Sequence, residues 1–311
     1  MASEDKNQDR GDALLEDSSR RDFVAISAAV GLAAGTGRAV AAEHRRSNIV
    51  ETDVTIQTGD GSCDAAYFHP AHGRHPGVII WTDIFGLRPT FREFGRRLAA
   101  SGYSVLVPNP FYRTAKAPVY TEEEIAHISF QDPNQRKRMA DDTGPINKAG
   151  AIETDAKAHV GFLDSQPEVD TDKKIGTQGY CMGGPLVFRT VASQADRVGA
   201  GATFHGGGLV TDRPDSPHLL IPQFRAQMYV AIAASDDMRQ PDAKDKLKAA
   251  FEASKYPQVQ DSTVVVYTGT FHGWTVPDMP HQPTGQATYN RPDAERAWTH
   301  LLTLYRKNLL A

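Results

Sequence analysis

The stretch Lys174-Ile175-Gly176-Thr177-Gln178-Gly179-Tyr180-Cys181-Met182-Gly183-Gly184 sets a short β-type run before a glycine-bracketed cysteine, with a helical pattern starting near Gly184. A nucleophile carried on a strand-to-helix turn needs small residues two before and two after it, because neighbouring Cβ atoms would strike the backbone of so tight a turn. Gly179, Gly183 and Gly184 meet that need around Cys181. With 26 Gly and two Cys in 311 residues, roughly 0.001 such arrangements are expected by chance. The competing reading is a buried structural cysteine beside a tight turn, since free Cys is often buried.

Outward from this turn the chain alternates between β-rich runs and helical stretches. Val54–Thr58 and Cys63–Phe68 flank Gly59-Asp60-Gly61 and read as an opening hairpin. Gly77–Trp81, Tyr103–Val107, Gly199–Phe204, Met228–Ala233 and Thr263–Tyr267 read as further strands. Helices are expected over Pro89–Ala100, Ile152–Leu163, Ala243–Ser254 and Arg291–Leu310. Continuous apolar strands alternating with helices predict an α/β fold, a mostly parallel sheet covered on both faces. No composition break marks a second domain. The polar connection Phe111–Gly150, with a short helix near Glu122–Ile128, reads as a lid or binding loop.

Composition narrows the function classes. A formal charge of −4 and 40% hydrophobic residues suit a globular core and offer no basic field for a phosphate backbone, so nucleic acid is excluded as a partner. Cys63 and Cys181 lack the close pairing of zinc sites, and neither a metal nor an organic cofactor is expected. They could instead form one disulfide, but Cys63 belongs to the hairpin at the far edge of the sheet, too distant for a bridge.

The N-terminus carries a separate signal. Ser19-Arg20-Arg21-Asp22-Phe23 precedes an Ala/Gly/Val/Ile run from Val24 to Gly35 and the small residues Ala39-Val40-Ala41-Ala42. The run is short for a bilayer span and predicts no stable membrane anchor. It resembles a twin-arginine export signal, matching Ser/Thr-Arg-Arg-x-Phe at every fixed position and departing at Val24-Ala25, where Leu and Lys are preferred. Residues 1–41 are therefore expected to be a signal peptide read by the twin-arginine machinery, with 42–311 one domain exported to the periplasm or beyond. An N-terminal amphipathic helix docked on the domain is the alternative.

A thiol needs a base, because unperturbed Cys is only a few per cent thiolate at neutral pH. His272, in Tyr267-Thr268-Gly269-Thr270-Phe271-His272-Gly273, follows the last strand and lies at the sheet edge that carries the Cys181 turn. Ser235-Asp236-Asp237 ends the preceding strand and offers an acid to orient the imidazole; a turn or N-cap role is the alternative for this pair. The order nucleophile, acid, histidine is that of the α/β-hydrolases.

At this point the chain resembles the dienelactone hydrolase family. The matching pieces, in order, are Trp81-Thr82-Asp83-Ile84-Phe85-Gly86, Pro108-Asn109-Pro110-Phe111-Tyr112-Arg113, the Gly179–Gly184 turn, Ser235-Asp236-Asp237 and Tyr267–Gly273. The resemblance implies Cys181 as nucleophile, His272 as base and Asp236 as orienting acid, with Asp237 as rival because of Pro241 four residues on. It implies oxyanion donors at the backbone N–H groups of Ile84 and Met182. Asp83 would contact and gate the resting thiol, although the family's usual residue is the longer Glu. Arg113 would hold a substrate carboxylate. The second arginine used by dienelactone-cleaving members is absent from His272-Gly273-Trp274-Thr275-Val276-Pro277. The expected function is therefore hydrolysis of small-molecule esters or lactones through a Cys-His-Asp triad and a thioester; the alternatives are a strict dienelactone hydrolase and a non-catalytic exported binding protein.

Overall fold

In the computed structural model, residues 48–311 are described; the expected export signal at 1–41 lies outside them. Every residue of β3 (Gly77–Trp81), β4 (Ser104–Pro108) and β5 (Ile175–Tyr180) is buried. Strands covered on both faces need not alternate polar and apolar residues, which is why β3 and β4 read as nearly unbroken apolar runs; β5 instead buries Thr177 and Gln178 among its residues. β1 (Ile49–Thr58) and β2 (Gly61–Pro70) form an antiparallel hairpin, and β2 pairs antiparallel with β4. The remaining pairs, through β6 (Val198–Phe204), β7 (Gln227–Ala233) and β8 (Thr263–Tyr267), are parallel. The eight-stranded order is β1-β2-β4-β3-β5-β6-β7-β8. The α/β reading holds, with a mostly parallel sheet between two helical layers.

Alternate strand residues feed the two layers. Val78 and Ile80 face α1 (Pro89–Ala99) and the C-terminal helix Arg291–Leu309 through Phe91, Phe94, Leu98, Trp298 and Leu301. Ile79 and Trp81 face the helices Ala151–Asp164, Gly183–Ser193 and Ala243–Glu252 through Ile152, Val160, Val187, Phe188 and Phe251. No helix among the described residues is long and apolar enough to cross a membrane.

The connection 111–150 holds more structure than its composition suggested. Besides Glu122–Ala126, opened by a Thr121 capping box, it contains a second helix, Pro133–Thr143. That helix buries only Met139 and Asp142, so it has no apolar stripe to find in the sequence. Its cue is the Asp132 cap followed by Pro133 at the first helical position. Phe85 anchors the loop through ring contacts with Tyr120 and Phe130, whose centroids lie 5.7 and 6.2 Å away.

Cys63 and Cys181 are both free thiols. Cys63 lies on β2, and β4 and β3 intervene before β5. Three strand spacings amount to about 14 Å, well beyond the roughly 7 Å Cα limit for a disulfide.

Candidate active site

Parallel strands deliver their following residues to one edge of a sheet. Asp83 and Ile84 follow β3, Cys181 follows β5, His205 follows β6, Asp236 follows β7 and His272 follows β8. The site is built from these strand ends.

Cys181 has φ of 51°, a left-handed conformation that an L-residue adopts only under constraint. The constraint is a set of backbone bonds to the neighbouring strand end: Cys181 N–H donates to the Phe204 carbonyl at 3.1 Å, and the Gly207 and Gly184 N–H groups donate to the Cys181 carbonyl at 3.2 and 3.1 Å. The glycine requirement is steric. A Cβ at Gly179 would meet the Gly183 carbonyl oxygen at 2.2 Å, and one at Gly183 would meet the carbonyl oxygens of Trp81 and Thr82 at 2.6 and 2.7 Å. The second contact presses the turn holding Met182 against the end of β3, next to Ile84. Among the described residues, neither the Ile84 nor the Met182 N–H has an acceptor.

His272 is placed by its backbone first. Its N–H donates to Ser235 Oγ at 2.9 Å, while the Ser235 N–H donates to the Thr270 carbonyl at 3.2 Å. These bonds tie the end of β8 to the helix Ala234–Arg239. His272 Nδ1 then lies 2.9 and 3.1 Å from the Asp236 carboxylate oxygens. Asp236 also pairs with Arg239 one helical turn on. Asp237 bonds Lys244 Nζ at 2.8 Å instead. Consecutive helical residues point about 100° apart, so only one of the two acids can face His272.

Burial opposes a charge on His272, yet its pKa is pushed up to about 10 by the charge of Cys181, hydrogen bonds to Asp236 and Cys181, and the charge of Asp236. A thiol touching an imidazole that a carboxylate orients is the arrangement of an activated nucleophile.

His205, which the sequence reading passed over, packs edge-on against His272 with ring centroids 5.2 Å apart. Its Nε2 lies 2.8 Å from Thr275 Oγ1. Burial and the neighbouring His272 charge push its pKa well below the usual histidine value, keeping it a neutral wall. The available cue was Phe204-His205-Gly206, a second His-Gly pair at a strand's C-terminal end.

Two expectations are corrected. In place of the expected thiol contact, the Asp83 carboxylate is held by other groups: Oδ1 accepts from Arg88 Nη1 at 2.6 Å and the Phe85 N–H at 2.9 Å, and Oδ2 accepts from Arg88 Nη2 at 2.9 Å. Asp83 and Arg88 are both fully buried, so the carboxylate is held by its ion pair. Nor is Arg113 free to hold a substrate carboxylate. Its guanidinium donates to Asp155 at 2.7 and 2.8 Å and to Asp60 at 2.7 and 3.0 Å, pinning the opening hairpin to the helix Ala151–Asp164.

The loop 111–150 also lines a solvent-open pocket of about 380 Å³, formed by Tyr120, His127, Arg138 and neighbouring residues, none of which belongs to the Cys181 site. Among the described residues no cluster of His, Cys, Asp and Glu could hold a metal ion.

Comparison with known proteins agrees with this architecture. The model of the dienelactone hydrolase family matches residues 63–309. A Synechocystis protein named "Putative carboxymethylenebutenolidase" is 25% identical over 244 residues, covering 77% of this chain and 89% of its own. A carboxymethylenebutenolidase of Rhodococcus opacus is 28% identical over 168 residues, 50% of this chain and 57% of its own. The crystal structure of a dienelactone hydrolase-like promiscuous phosphotriesterase from metagenomic libraries superposes with a TM-score of 0.66 at 22% identity, covering 84% of this chain and 99% of that one. The match runs from the hairpin to the last helix and takes in the Cys181 turn, and on that basis the chain belongs to the dienelactone hydrolase family and is a hydrolase.

Proposed function

We propose that the enzyme hydrolyses small, uncharged esters or lactones through a Cys181-His272-Asp236 triad and a thioester intermediate. The observation that carries this reading is His272, its Nδ1 held 2.9 Å from the Asp236 carboxylate at the sheet edge where Cys181 follows β5, and its pKa pushed up in part by the charge of Cys181. Asp236 orients the ring. The Cys181 thiolate adds to the acyl carbon, and the carbonyl π electrons move to oxygen, where the Ile84 and Met182 N–H groups receive the charge. Collapse breaks the bond to the leaving oxygen, which takes its proton from the His272 imidazolium. Neutral His272 then accepts a proton from water as the hydroxide adds to the thioester; the second collapse releases the acid and restores the thiolate and imidazolium.

The substrate class follows from the charges near the site. With Arg113 committed to two aspartates and no basic residue in 273–277, no clamp for a carboxylate is evident. That favours a general hydrolase over a strict dienelactone hydrolase. A non-catalytic scaffold would have no use for a cysteine held at positive φ against a paired histidine.

The pH profile tests the role of His272. Its imidazolium is populated below about 10 and lost above it. For an alkyl ester or lactone, whose alkoxide must be protonated to leave, kcat/KM is expected to fall as pH rises through that value. For p-nitrophenyl acetate, whose phenolate leaves without a proton, the fall is expected to be weaker. An alkyl-ester rate that keeps climbing with pH, after subtraction of spontaneous hydrolysis, would overturn the assignment. A higher kcat/KM for an anionic dienelactone than for neutral esters would overturn the substrate class.

Export by the twin-arginine route is part of the same proposal and rests on Ser19–Phe23 and the small-residue end at Ala39–Ala42. N-terminal sequencing of the protein from a cell fraction is expected to start near Ala42; a start at Met1 contradicts it.

A further inference from the structure

Arg88 is a fully buried arginine at the start of α1, and all five of its N–H donors are engaged. On one side it grips Asp83 through both terminal nitrogens and also reaches the Gly86 carbonyl at 3.2 Å. On the other it grips Asp278, with Nε to Oδ2 at 2.7 Å and Nη2 to Oδ1 at 2.8 Å. Phe85 and Phe91 pack near the guanidinium, with ring centroids 5.4 and 4.9 Å from it.

The two carboxylates belong to different parts of the machinery. Asp83 immediately precedes Ile84, and its Oδ1 also accepts from the Phe85 N–H, so gripping Asp83 sets the turn that carries the Ile84 donor. Asp278 lies six residues beyond His272. The intervening chain is wound tight: Trp274 N–H donates to the Phe271 carbonyl at 3.1 Å, Val276 N–H to Gly273 at 2.9 Å and Met279 N–H to Val276 at 3.3 Å. Trp274 is buried against Tyr267 at the end of β8, with centroids 4.3 Å apart. Asp278 is therefore a fixed post behind the histidine. A planar guanidinium can bridge two carboxylates bidentately, which an ammonium cannot. Its charge also neutralises Asp83, which would otherwise stand one residue from the donor of a developing oxyanion.

We propose that Arg88 is a positioning residue for the hydrolysis: anchored on Asp278, it holds the Ile84 turn where the oxyanion forms and cancels the Asp83 charge there. This rests on the proposed role of Cys181 and the Ile84 donor, and adds to it a residue that touches neither substrate nor thiol.

Two variants test it. Arg88→Lys keeps a charge and loses the bridge. Asp278→Asn, at a position one quarter exposed, weakens only the anchor and leaves the Asp83 pair in place. Each is assayed for p-nitrophenyl acetate hydrolysis and, separately, for alkylation of Cys181 by iodoacetamide, a displacement that forms no oxyanion. In both variants kcat is expected to fall about 10- to 100-fold with KM within about threefold. Alkylation is expected to stay within about twofold of the wild type, because the thiol and His272 are unmoved. A role confined to stability would lower both rates together, in proportion to the folded fraction, and that result overturns the proposal. Unchanged kcat in folded Asp278→Asn overturns it as well. If Cys181→Ala hydrolyses the ester as fast as the wild type, the proposed function fails and this inference with it; unchanged kcat in the Arg88 and Asp278 variants of an enzyme that does depend on Cys181 removes this inference alone.

Discussion

Cys181→Ala is expected to lower kcat/KM for p-nitrophenyl acetate by on the order of 10⁴- to 10⁶-fold, the range seen when a nucleophile that acts as part of a unit is removed. What remains comes from binding and from the oxyanion donors. The fold should survive the change. Cys181 is only partly buried, and alanine loses one sulfur without leaving a large cavity. The left-handed backbone at this position is imposed by the Phe204, Gly184 and Gly207 bonds, which involve only main-chain atoms at Cys181. Circular dichroism and thermal unfolding close to the wild type, with activity gone, would separate chemistry from stability. Retained activity would mean that the glycine-bracketed turn is a packing device.

The second large effect concerns the acid. Asp236→Asn keeps the size of the side chain and removes its charge. An amide can donate to Nδ1 and so stabilise the tautomer with its proton on the wrong nitrogen, a change that costs about 10⁴-fold in kcat in the analogous serine triads. The imidazolium also loses one of the charges that raise its pKa, so the alkaline limb of the alkyl-ester profile should move to lower pH. The neighbouring residue is the control: Asp237→Asn breaks only a pair with Lys244, and kcat is expected to stay within about threefold of the wild type, since surface substitutions away from the site usually cost little. Reversed results would exchange the two acids.

The contrast between Asp236 and Asp237 marks where sequence reading stops. Both follow the same strand, and Pro241 four residues beyond the second favoured neither decisively. The choice depends on a helix, Ala234–Arg239, that contributes no buried residue and so leaves no apolar pattern in the sequence. The sheet itself was legible because burial on both faces forces unbroken apolar runs such as Gly77–Trp81, and because each run ends at a glycine or polar turn. The Cys181 turn was legible for steric reasons: Gly179 and Gly183 are required by backbone oxygens within 2.7 Å. The charged residues were not. Arg113 pairs with Asp60 and Asp155, 53 and 42 positions away, and Arg88, which holds Asp83, also pairs with Asp278, 190 positions away; pairing at such range follows from tertiary packing alone. His205 was missed for the same reason. Its role comes from a ring contact with a residue 67 positions later; Phe204-His205-Gly206 marks its place at a strand end but not that contact.

The most direct measurement of the central claim is mass spectrometry of enzyme acid-quenched during turnover of p-nitrophenyl acetate. The expected result is one acetyl group on the peptide containing Cys181, lost on treatment with hydroxylamine as a thioester is, and absent from Cys181→Ala. Steady turnover with Cys181 unmodified, or with the acetyl group on another residue, would contradict the account.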